Sequence, residues 1–128
     1  MKGVTIEDRD AKGVLNFDLK DILELAGGRA ITSHWKLAMV EALGFQPAEK
    51  LHFLCESGTI VEGQILMNLA ANVSQVIDGT FEAFDGCAKS PWLVIDAVDG
   101  AAYDVRSNDE SLLDKLRAHF KSVSDLPE

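Results

Sequence analysis

Three aspartates in the second half of the chain stand where a carboxylate can do chemistry. Asp78, Asp96 and Asp99 lie within or beside runs of β-forming residues. A carboxylate held among apolar neighbours has its pKa raised and can act as a general acid or base. Asp96 is the leading candidate, embedded in Leu93-Val94-Ile95-Asp96-Ala97-Val98. Asp99-Gly100 is a strong signal for a two-residue type I′ hairpin turn. That turn sets Val98 opposite Ala101, Asp96 opposite Tyr103 and Val94 opposite Val105, so the Tyr103 hydroxyl falls beside Asp96. His34 would serve such a pair as a proton shuttle. A structural account competes at each position. Asp96 then accepts a hydrogen bond that ties the sheet together, Asp78 shapes a bulge before Gly79, and Asp99 serves the turn. Structural roles are the commoner outcome for such carboxylates.

Other chemistries are poorly supplied. The histidines His34, His52 and His119 are far apart. His52 and Cys55 are three apart on one face of an expected helix, but two ligands do not make a metal site, and no metal is expected. Asp8, Asp10, Lys12 and Gly13 imitate the start of a calcium loop. Lys12 puts a cation where an oxygen ligand belongs, and Leu19 stands where the closing glutamate should be. Phosphate-binding glycine loops and a nucleophile elbow are missing, so no cofactor is expected. Cys55 and Cys87 read as free thiols. Trp35, between His34 and Lys36, is a binding anchor if exposed, although a tryptophan so placed more often fills a core.

Charge narrows the partners. The 128 residues carry 12 Lys and Arg against 21 Asp and Glu, a formal charge of −9. Phosphate backbones repel such a chain, so nucleic acid is not an expected partner. The one basic cluster, Lys115, Arg117, His119 and Lys121, suits the C-terminal end of a helix. No apolar run reaches the length of a membrane span, and no apolar stretch follows Lys2 as in a secretory signal. The expected localisation is cytoplasmic.

The elements that must position these residues follow from periodicity. Val4–Ile6 and Val14–Phe17 are short β-like runs that suggest a hairpin. Asp18 reads as an N-cap ahead of Leu19, Ile22, Leu23 and Ala26, with Gly27-Gly28 as the stop. Residues 32–40 alternate, with Trp35, Leu37 and Met39 on one side. Pro47 suits the first turn of a helix whose inner face holds Leu51, Leu54 and Cys55, ended by Ser57-Gly58. Thr59 to Glu62 matches a capping box, and the apolar residues from Ile60 to Val73 predict the helix at the centre of the core. Val76–Phe84, Trp92–Val98 and Ala101–Arg106 are three successive strands. Strand 92–98 is apolar on both faces, which predicts a central strand covered on both sides. Ser107 to Glu110 is a second capping box before Leu112, Leu113, Leu116 and Phe120. Residues 123–128 read as a tail.

This order predicts a single globular domain over 1–128. It is an α+β two-layer sandwich, a mainly antiparallel sheet with helices packed on one face. The expected function is a small acidic, soluble, non-catalytic protein-binding module, an inhibitor or immunity-type partner of a basic protein. The alternative is a small enzyme or ligand carrier with a pocket between sheet and helices, using Asp96, Tyr103 and Asp78. A homo-oligomer built through an exposed strand edge is a third expectation.

Overall fold

Alternation of apolar and polar residues puts one side of each long strand in a core and leaves the other to water. The computed structural model describes residues 1–127. The strands are β1 (Lys2–Ile6), β2 (His34–Leu43), β3 (Val61–Glu62), β4 (Gln75–Phe84), β5 (Leu93–Val98), β6 (Ala102–Ser107) and β7 (Val123–Asp125). The helices are α1 (Leu19–Ala26), α2 (Gly28–Thr32), α3 (Phe45–Ser57), α4 (Gly63–Asn72) and α5 (Glu110–His119). One sheet runs in the order β3-β2-β4-β5-β6-β1-β7, and every neighbouring pair is antiparallel. The architecture is the expected α+β arrangement.

The inner face of the sheet carries Trp35, Leu37, Phe81, Ala83, Leu93, Ile95, Tyr103, Val105, Val4 and Ile6, all buried. Leu19, Ile22 and Leu23 of α1, Leu66 and Ala70 of α4, and Leu112, Leu113 and Leu116 of α5 close the same core. Helix α1 begins where expected. Asp18 is extended at its N-cap, its own N–H donates to the Asp21 carboxylate at 2.8 Å, and Gly27 ends the helix at φ 74°. Gly63 lets α4 start against α2, because a Cβ there would collide with the carbonyl oxygens of Ala30 and Ile31.

Several local expectations give way to tertiary pairing. β1 does not form a hairpin with Val14–Phe17. It pairs with β6 on one side and β7 on the other, and the 14–17 run makes only a bridge from Leu15 to Arg9. The expected tail therefore contains a strand. Residues 61–62 are drawn into β3 beside His34 and Trp35, so the helix starts at Gly63 and the Thr59–Glu62 capping box does not form. Of that helix only Gly63, Leu66 and Ala70 are buried, and the centre of the core is the sheet instead. Helix α5 is capped by Asp109, whose Oδ1 accepts from the amides of Ser111 and Leu112. Ser107 is buried and donates to the Trp92 carbonyl at 2.7 Å.

The turn at Asp99-Gly100 has the expected positive φ at both residues, 52° and 65°. The Ala101 N–H closes it on the Val98 carbonyl at 2.8 Å, but Ala101 is left outside the ladder. The register becomes Val98 with Ala102, Ala97 with Tyr103 and Asp96 with Asp104. A one-residue slip exchanges the faces of a strand. Asp96 and Tyr103 are consequently on opposite faces of the sheet. Strand β5 is central as expected, between β4 and β6, but its Val94 and Asp96 side is not covered by helix.

Candidate functional site

The uncovered face of the sheet reads as transverse rows set by the registers. His34 and Phe84 form the first row, and Lys36, Glu82, Val94 and Arg106 the second. Ala38, Thr80, Asp96 and Asp104 form the third. Beyond it the regular ladder breaks. Between Ala38 and Glu41 strand β2 carries an extra residue, and β4 compensates at Ile77 before Val76 pairs with Ala42. Glu41 then lies directly opposite Asp78.

This break turns Met39 around. The alternation placed Met39 inward with Trp35 and Leu37. Instead it sits at φ 54°, in the left-handed region, with 85% of its surface exposed. Met39 lines a depression of about 620 Å³ together with Glu41, Asp78, Asp96, Asp99 and Asp104, and with Thr80 and Val98. Two carboxylate pairs in this area, Glu41–Asp78 and Asp96–Asp104, are direct cross-strand neighbours. Like charges so placed oppose the pairing of their strands.

Two of these carboxylates already hold local structure. Asp78 accepts the Asp99 N–H at 2.8 Å, and the Gly100 N–H donates to the Ile77 carbonyl at 2.9 Å. The β4 bulge thus grips the tip of the β5–β6 hairpin. Asp96 accepts the Thr80 hydroxyl at 2.6 Å and has Arg106 3.9 Å away.

The other sequence candidates lie elsewhere. Tyr103 is 1% exposed on the core side and donates its hydroxyl to Asp18 Oδ1 at 2.5 Å. Burial first, and then the Asp18 charge, push the phenol well above its ordinary pKa. Asp18 also accepts the Val76 N–H at 3.1 Å. Its own carboxyl is raised by burial, against the pull of Tyr103 and of the Leu19 and Val76 amides. The structure therefore joins Asp78 with Asp96, places His34 at the opposite end of the face, and puts Tyr103 behind the sheet. The space between sheet and helices near Tyr103 is filled by Phe17, whose ring centroid lies 5.4 Å from that of Tyr103, and by Phe120, 4.7 Å from Phe17.

Trp35 is wholly buried and donates its Nε1–H to the Ala30 carbonyl at 2.9 Å, so it is a core residue and not an exposed anchor. Two aromatic side chains are largely exposed instead, Phe45, 91% exposed at φ 54°, and Phe53. Sequence periodicity missed Met39 and Phe45 because a positive φ at a bulky residue leaves no mark in the pattern of types. The paired His52 and Cys55 face the edge of β2. His52 Nε2 accepts the Ala42 N–H at 3.1 Å, and Cys55 Sγ lies 3.5 Å from the Val40 N–H. They cover a strand edge that β3 is too short to pair. Asp8 and Asp10 likewise serve backbone. Asp8 accepts the Lys121 and Ser122 amides, and Asp10 those of Lys12 and Val14. Among the described residues no group of three or more His, Cys, Asp or Glu is arranged to hold a metal ion.

Fold and face together define an α+β protein with an open antiparallel sheet, acidic at one end of its uncovered face. Comparison with protein-family models, with curated proteins and with solved structures found no match. No helix among the described residues is long and apolar enough to cross a membrane.

Proposed function

We propose that this chain is a non-catalytic protein-binding module that engages a basic protein through the acidic end of its open sheet face, as an inhibitor or immunity-type partner does. The observation that carries this reading is the setting of Met39. A left-handed conformation costs a non-glycine residue roughly 1–2 kcal/mol. Met39 adopts it and gains no burial in return, while five carboxylates stand around it. An apolar anchor inside a charged rim is the usual anatomy of a recognition surface. The carboxylates opposite one another are relieved by incoming lysines or arginines, which also steer encounter. A cytoplasmic setting fits the reduced state of Cys55 and Cys87.

The test is capture from lysate of the source cells, at low and high salt, with wild type and two variants, Met39→Asp and the double variant Glu41→Lys, Asp104→Lys. The expected result is a basic protein retained by wild type at low salt, weakened at high salt and lost with both variants. Equal capture by all three proteins sinks the reading, as does the absence of any captured protein at both salts.

A further inference from the structure

The opposite end of the same face has the reverse chemistry. A depression of about 560 Å³ is lined by His34, Lys36, Lys89, Ile60, Phe84 and the loop residues Gly86 and Ala88. That volume lies in the range of small-molecule sites. Among the described residues no carboxylate lines it, in a chain with 21 acidic residues against 12 basic ones. The four arginines all pair with carboxylates. Neither Lys36 nor Lys89 makes an ion pair among the described residues, even though Glu82 is opposite Lys36 in register.

The loop after β4 has one acid, Asp85, and it is turned away from the depression. Arg29 holds it, with Nη2 to Oδ2 at 2.5 Å, while the guanidinium lies 4.0 Å from the Trp92 ring centroid. That pairing keeps the Asp85 carboxyl below its ordinary range. What remains is cationic groups above an apolar floor. The Lys36 ammonium stands 5.2 Å from the Phe84 ring centroid. Ile60, half exposed, supplies the rest of the apolar surface.

We propose that this depression binds a small anion attached to a planar apolar body, such as an aromatic carboxylate. The anionic group meets Lys36 and Lys89, with His34 as a further hydrogen-bond donor or acceptor. The planar body lies on Phe84 and Ile60. The site is separate from the acidic end of the face and does not depend on the protein partner proposed there.

Amide chemical-shift mapping of the full chain with 2-naphthoate tests this, with naphthalene-2-methanol as the neutral analogue and inorganic phosphate as the bare anion. Shifts are expected at residues 34–36, 60 and 84–89. The neutral analogue and the bare phosphate should each bind more weakly. Removing both charges with Lys36→Ala, Lys89→Ala should weaken naphthoate about tenfold, as expected for two solvent-screened charges. Asp104→Asn should leave naphthoate binding unchanged. The proposal fails if no shifts appear, if they fall outside this region, or if either the neutral analogue or phosphate matches naphthoate.

Discussion

The Tyr103 hydroxyl donates to the Asp18 carboxylate at 2.5 Å across 85 positions of sequence. With the Val76 N–H on the same carboxylate, Asp18 ties the start of α1 to β4 and β6 at once. Removing the hydroxyl with Tyr103→Phe should cost about 1.5–3 kcal/mol, the range for a hydrogen bond to a charged group. Chemical denaturation measures it, and an unchanged midpoint would show the contact to be idle.

The same carboxyl predicts a pH dependence. Burial raises its folded pKa above the ordinary 3.8. The folded state therefore holds this proton more tightly than the unfolded chain does. The stabilisation is fully present below 3.8 and is lost as pH climbs through the raised value. Relative to Asp18→Asn, which has no such proton, wild type should lose stability as pH rises across that window. Parallel stability curves for the two proteins would contradict the assignment.

Replacing Asp99-Gly100 by Ala-Ala should lower stability by about 1–2 kcal/mol, because both positions require positive φ. A Cβ on Gly100 would also sit 3.3 Å from Gln75 Nε2. A melting temperature that stays in place would rule out the turn geometry.

His52→Ala should strip the acceptor from the Ala42 N–H at the edge of β2. The expected cost is about 1 kcal/mol, with faster hydrogen exchange at the Ala42 amide. Exchange as slow as in wild type would mean that another group covers this edge.

Met39→Gly should raise stability by about 1 kcal/mol, since glycine occupies φ 54° without the Cβ clash. Asp104→Asn should add about 0.2–1 kcal/mol by removing the repulsion from Asp96 opposite. Both should weaken binding of the basic partner. Stability gained with binding lost marks residues kept for recognition rather than folding. A loss of stability in both variants would assign them to the fold.

Local sequence was enough for the features that depend on neighbours a few residues apart. Asp18 and Gly27 bracket α1, Gly58 closes α3, the β5–β6 turn has its two positive φ values, and the apolar alternation of β4 to β6 predicts an antiparallel sheet under helices. These are propensities of short segments, and each segment carries its own signal. Tertiary structure decided the rest. Ala101 dropped out of the ladder and Asp96 changed faces, so the acid expected beside Tyr103 stands on the open side with Asp104. The β2 bulge reversed Met39, and β1 took its partners from the far end of the chain, β6 and β7. Register, bulges and strand order are settled by which faces find a common core. That is a property of the whole chain, and no window of sequence contains it.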